Sequence, residues 1–204
     1  WERDLTEEGI EPHPGPNYRF VTKNINGLSN KSHRQGVFKS IAREHRNDPI
    51  GAIFIQEHHV KLNIKDEVVA DAYRNRLHLF ITPIRNDEHK GGTAIMVSPR
   101  ARHHYDTHAE TLSAGLAGQA QCVRFTGRTR NGVTPTPARV INVYLATGDN
   151  HHRRRAKQLR QLQSIPNDMP VVLGGDFNFI EHEHDTTTFT TYHKPTPEAS
   201  EAWE

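Results

Sequence analysis

The stretch Val171-Val172-Leu173-Gly174-Gly175-Asp176-Phe177-Asn178 decides how this chain is read. The apolar run behind Pro170 predicts a short buried strand. Two glycines follow, which permit a turn or the close approach of a ligand. Asp176 and Asn178 come next, and in extended backbone residues two apart project to the same side. A carboxylate and a carboxamide at the open end of a buried strand suit the active site of an α/β protein. They suit a plain turn equally well, since Gly, Asp and Asn all favour turns, so the rest of the chain has to decide.

Working outward, strand and helix signals alternate. Residues 18–22 read as a strand running into Lys23-Asn24-Ile25-Asn26-Gly27-Leu28. Val37, Phe38, Ile41 and Ala42 recur at helical spacing over 34–46, and Asp48-Pro49 ends that helix. The apolar run 50–55 predicts a buried strand that delivers Gln56 and Glu57 at its end. A second helix over 63–76 is expected to bury Ile64, Val68, Val69, Ala72 and Tyr73. Strands follow over 77–81, over 93–97 behind Gly91-Gly92, and over 121–125 and 139–144, the last two joined by a basic loop at 127–137. A third helix over 150–165 buries Ala156, Leu159, Leu162 and Ile165 and turns Arg153, Arg154, Lys157 and Arg160 outward. Strands alternating with helices make the class α/β.

The ends read differently. Residues 1–16 form an acidic leader closing on Gly9-Ile10-Glu11-Pro12-His13-Pro14-Gly15-Pro16, whose prolines forbid regular structure. Periodicity stops after Asn178, and 195–204 is expected to be a disordered tail. One folded domain over 17–194 remains.

Composition narrows the function classes. No apolar run approaches the roughly 20 residues of a membrane helix, so no membrane partner is expected. Cys122 is the only cysteine, which excludes an intramolecular disulfide and fits a reducing compartment. The net charge of +2 and pI near 8.8 admit a nucleic-acid partner without demanding one. The 15 histidines, several in pairs such as His58-His59, read as scattered exposed side chains rather than a metal cluster.

The chemistry lies at the strand ends: Asn24 and Asn26, Gln56 and Glu57, Tyr144, and Asp176 with Asn178. Carboxylates and carboxamides are hard oxygen ligands suited to Mg2+ or Mn2+. Hydroxyl and amide hydrogens suit phosphate oxygens. Together they point to metal-assisted phosphodiester cleavage. Taken singly, Glu57 reads as a solvated carboxylate, Tyr144 as a strand-end aromatic and the arginines as a wet helix face.

The segments 24–28, 55–59, 91–97, 142–144 and 174–178, taken in order, resemble the endonuclease/exonuclease/phosphatase superfamily over about residues 17–185. Within it, Asn24-Ile25-Asn26-Gly27-Leu28 and the Gln56-Glu57-x-His59 phrase look most like endonucleases of non-long-terminal-repeat retrotransposons. The leader is similar to ribosome-skipping peptides that precede some retrotransposon proteins, with Gly9 and His13 where those usually carry Asp and Asn.

The resemblance implies a layered α/β sandwich of two stacked mixed, mainly antiparallel sheets flanked by helices, the second sheet incomplete. It implies Glu57 and Asn26 as metal ligands and Asp176 as the base that takes a proton from the attacking water. Asn178 would orient that water, Asn24 would support Asp176, and Tyr144 would donate to the scissile phosphate. Thr147, standing where the family usually has asparagine, would bind substrate with Arg153 and Arg154, and His59 would support the glutamate. The implied function is Mg2+-dependent nicking of nuclear DNA within a polyprotein that also carries a reverse transcriptase. A phosphatase or phospholipid phosphodiesterase, and an inactive nucleic-acid-binding remnant, are the alternatives. The family's closing aspartate-histidine phrase has no match after Asn178, so truncation and impaired activity are expected.

Overall fold

A computed structural model describes residues 18–84, 91–113, 116, 118–146 and 152–178. The leader, Thr147 and the tail lie outside the described residues. The chain order is β1 (Arg19–Asn24), α1 (Lys31–Asn47), β2 (Ile50–Gln56), a 3-10 turn (Leu62–Ile64), α2 (Lys65–Arg74), β3 (His78–Ile81) and β4 (Thr93–Val97). There follow α3 (Pro99–His104), β5 (Tyr105–Glu110), β6 (Ala120–Gly127), β7 (Ala138–Tyr144), α4 (His152–Gln163) and β8 (Val171–Asp176).

Two four-stranded sheets form, in the orders β1-β2-β4-β3 and β5-β6-β7-β8. β1–β2 and β7–β8 pair in parallel, and every other pair is antiparallel. The α/β sandwich and its mainly antiparallel sheets are therefore as expected. Three cores separate four layers. Phe38, Ile41, Val68 and Ala72 of α1 and α2 pack on one face of the first sheet. Ala156, Leu159 and Leu162 of α4 pack on Ile141 and Val143 of the second. Between the sheets lie Ala52, Phe54, Ile95, Val123, Phe125 and Val140. Each fully buried Phe or Ile contributes about 1.5–3 kcal/mol.

Local chemistry sets the helix ends. Asn30 caps α1 by accepting the His33 N–H at 3.0 Å, and Pro49 follows its last turn. Arg34 is buried on this helix's apolar face, donating to Asp71 Oδ2 at 2.7 Å and to the Leu28 carbonyl at 3.0 Å. Asp71, itself 2% exposed, thus occupies the buried face of α2.

That arrangement corrects the expected burial of Tyr73, which is 70% exposed. At about 100° per residue, Val68, Asp71 and Ala72 share one face, and Tyr73 falls well off it. Three further corrections follow. Among the described residues β8 lies at the edge of its sheet, with Val171 44% and Leu173 36% exposed, so only alternate residues such as Val172 enter the core. Its glycines form neither a turn nor a ligand gap. A Cβ on Gly174 would stand 2.5 Å from the Phe54 ring of the facing sheet, and one on Gly175 2.1 Å from the Val143 carbonyl oxygen. Finally, His58 is wholly buried rather than exposed.

Candidate active site

Strand direction assembles the site. β1 and β2 run parallel with Asn24 opposite Gln56, and β7 and β8 run parallel with Tyr144 opposite Asp176. The Tyr144 hydroxyl crosses between the sheets and donates to Glu57 Oε1 at 2.8 Å. Asn24, Asn26, Glu57, Tyr144, Asp176 and Asn178 accordingly gather at one end of the sandwich.

The loop after β1 continues the ladder beyond the strand. Gly27 N–H donates to the Glu57 carbonyl and Leu28 N–H to the His58 carbonyl, each at 2.7 Å, which seats Asn26 alongside Glu57. Asn24 Oδ1 accepts the Asn26 N–H at 3.2 Å and shapes this loop. No hydrogen bond joins Asn24 to Asp176. On the other sheet, Asp176 Oδ1 accepts the Asn178 N–H at 3.0 Å, and Asn178 Nδ2 donates to the Leu145 carbonyl at 2.6 Å. His59 Nε2 lies 3.8 Å from Glu57 Oε2, too far for a hydrogen bond, and is buried without another partner among the described residues.

Asn26, Glu57, His59 and Asn178 all hold positive φ, between 44° and 54°. Asparagine tolerates this region, but Glu57 and His59 do so at a cost of roughly 1–3 kcal/mol each. Strain of this kind survives only where neighbouring bonds fix the backbone, and here the ladder of the 25–28 loop does so.

Several residues that the sequence reading left aside hold this end together. Asn142, 0% exposed, donates to the Ile55 and Ala94 carbonyls at 2.8 Å and accepts from Gln56 Nε2 at 2.7 Å. It joins the second sheet to the first directly behind Glu57. A lone carboxamide within apolar β7 was its signal. His58 donates from Nε2 to the Thr82 carbonyl at 3.1 Å and accepts the Val60 N–H on Nδ1 at 2.9 Å. Burial pushes its pKa down to about 4, so it is a neutral pin beside Glu57. Arg155 is buried and donates to the Ala146 carbonyl at 2.9 Å, tying the start of α4 to the residues just after Tyr144. Arg153 and Arg154, by contrast, stand exposed at that end.

Burial raises the Asp176 carboxyl pKa, the Glu57 charge adds to the rise, and the Asn178 N–H opposes it. Tyr144 is likewise raised, by burial first and then by its bond to Glu57, so its hydroxyl stays a donor. Among the described residues no cluster of three or more His, Cys, Asp or Glu side chains could hold a metal ion. The donors that remain, Glu57 Oε2, the second Asp176 oxygen and the Asn26 carboxamide, suit a hard ion. Mg2+ is commonly bound by one or two carboxylates while keeping several waters. A cation there would also relieve the like-charge repulsion that raises Asp176, so the residues present fit the group.

The fold is similar to that of several solved structures. AP endonuclease LMAP from Leishmania major matches with a TM-score of 0.61 and 15% identity, over 91% of this chain and 64% of that one. The catalytic domain of human Nocturnin matches at 0.52 and 16%, over 80% and 65%. Humanized D. rerio TDP2 matches at 0.51 and 17%, over 78% and 62%. The chain thus spans a little under two thirds of the length of these structures. No curated protein sequence matches it. The sequence model of one family, however, aligns with residues 21–199, which takes in both sheets and every strand end just described. By that match the chain belongs to the Endonuclease/Exonuclease/phosphatase family.

Proposed function

We propose that this chain is a Mg2+-dependent DNA endonuclease domain that nicks target DNA for retrotransposition. Members of the family are hydrolases of nucleic acids and other phosphoesters and generally use divalent metals. The observation that carries the reading is the meeting of Glu57, Tyr144 and Asp176 at one end of the sandwich. The finer assignment to a retrotransposon draws on the doubled asparagine and the Gln56-Glu57-x-His59 phrase. On that assignment the domain acts in the nucleus, in a polyprotein that also carries a reverse transcriptase.

Glu57 and Asn26 would hold Mg2+ (or Mn2+), which when bound supplies Lewis-acid stabilisation of the phosphate charge. Asp176, its pKa raised by burial, takes the proton of the attacking water. Asn178 orients that water, and Asn24 keeps the loop carrying Asn26 in place. Tyr144, freed from Glu57, donates to a non-bridging phosphate oxygen. The water oxygen bonds to phosphorus, the bond to the 3′ oxygen breaks, and the leaving oxygen takes a proton from solvent. A free 3′ hydroxyl, the end a polymerase can extend, remains. Thr147, Arg153 and Arg154 contact the neighbouring DNA backbone, and His59 stands beside Glu57 without bonding to it.

The test is conversion of supercoiled plasmid to open circles in Mg2+, with and without chelator. Weak, chelator-sensitive nicking is expected, because nothing after Asn178 matches the family's closing aspartate-histidine phrase, and Glu57→Ala or Asp176→Ala should reduce it about 100- to 1,000-fold further with the fold intact. Chelator-sensitive hydrolysis of small phosphoesters without nicking would assign the site to a phosphatase. Plasmid binding without any cleavage would make the chain a binding remnant.

A further inference from the structure

The opposite end of the sandwich carries a second concentration of chemistry that the cleavage reading does not use. The C-terminal end of α1, the turn between α2 and β3 and the start of α3 enclose a cavity of about 480 Å3, lined by Arg46, Arg76 and Arg100 among others. A neighbouring cavity of about 460 Å3 shares Arg76 and Pro99 with it and adds Tyr73, Arg102 and Arg128. The two form one groove. It lies where β2 begins, whereas Glu57 lies where β2 ends, so about 20 Å of strand separates groove and candidate active site.

The walls of this groove contain no carboxylate. Arg128 is paired with Asp106 at the outer margin. Arg46, Arg76, Arg100 and Arg102 make no ion pair among the described residues, while Arg19, Lys23, Arg34, Arg74, Arg124 and Arg139 are all paired. Apart from Asp106, whose charge also reaches Arg102, these like charges gather without counter-charges, which raises the energy of the free protein and favours an arriving anion. Beside them Tyr73, 70% exposed, presents a free aromatic ring. Guanidiniums spaced along a groove with an exposed ring fit a phosphodiester backbone carrying an unstacked base. A duplex keeps its bases stacked and paired, so Tyr73 selects a single strand.

We propose that this groove binds single-stranded nucleic acid, with phosphates on Arg46, Arg76, Arg100 and Arg102 and a base stacked on Tyr73. The site works whether or not the Glu57 end cuts, and its test excludes cleavage. Arg76 makes the test clean: its φ of 61° is a conformation glycine adopts freely, so Arg76→Gly removes the charge while keeping the backbone.

Binding of labelled oligo(dT) and oligo(U) to the full chain is measured by fluorescence anisotropy in chelator, across a salt series. At least one oligomer is expected to bind, and the tighter one identifies the natural strand. Arg76→Gly combined with Arg100→Ala should weaken binding at least tenfold and lower the salt slope by about one to two. Tyr73→Ala should cost about tenfold with an unchanged slope. Glu57→Ala should leave binding as it was, and duplex DNA should compete poorly. The proposal is overturned if neither oligomer binds, if the groove variants bind normally, or if duplex competes as well as single strand. Loss of plasmid nicking in Glu57→Ala with oligomer binding retained separates the two ends.

Discussion

Asp176 combines two properties that conflict at neutral pH: it ionises to accept a proton, and burial beside Glu57 makes ionisation costly. Its folded pKa lies above the unfolded one, so the folded state binds the proton more tightly. The penalty is therefore absent below the usual carboxyl pKa of about 3.9, sets in as pH rises past it, and is full above the folded pKa. Asp176→Asn should accordingly raise the melting temperature at pH 7 in chelator, leave it unchanged near pH 3, and abolish nicking. Thermal melts at the two pH values check the sign. A variant equally stable or less stable at pH 7 would show that Asp176 carries no such cost. Tyr144 faces the same neighbour with the opposite result, because its raised pKa merely keeps a hydroxyl hydrogen available.

At the scale of elements, α4 is built against its own dipole. Its first turn holds no acidic residue, and Arg153, Arg154 and Arg155 crowd its positively polarised end. Arg155 is explained by its bond to Ala146. Arg153 and Arg154 are exposed and make no comparable bond among the described residues. Replacing both by glutamate should stabilise the helix by about 0.3–1 kcal/mol per residue at low ionic strength. The same change should weaken plasmid binding and reduce its salt slope by about two, as two phosphate contacts are lost. Differential scanning calorimetry and a salt titration on the duplex check the pair. Raised stability with unchanged binding would leave these arginines on a solvated face. β5 carries a different lesson. None of its side chains is fully buried, and it is a strand because its backbone pairs with β6 from Tyr105 opposite Gly127 to Glu110 opposite Cys122.

For the whole molecule, the site depends on how closely the two sheets approach, because Glu57 and Tyr144 belong to different sheets. Gly174 sets that distance where β8 crosses Phe54. Gly174→Ala should cost about 1–3 kcal/mol by overpacking, and Phe54→Leu in the same chain should recover part of it. Urea unfolding of the single and double variants measures both. Equal stability of Gly174→Ala and the parent would show that the sheets separate freely there. Asn142 acts from the same layer, since its buried carboxamide donates to carbonyls of both β2 and β4 and so ties the two sheets together.

The sequence by itself determined what depends on neighbours along the chain. The apolar run of β2, the stripes of α1 and α4, and polar residues at the ends of β1, β2, β7 and β8 are local periodicities, and all are present in the fold. Segment order also carried the family, because each strand end keeps its own short phrase. Tertiary structure alone decided everything that pairs distant segments. Arg34 is buried because Asp71, 37 residues away, meets it, and that meeting turns Tyr73 outward. Gly174 is required by a ring on the other sheet rather than by a turn. The basic groove gathers Arg46, Arg76 and Arg100 from three separate segments. Period and propensity describe one segment at a time, whereas burial and charge pairing are settled only when segments pack together.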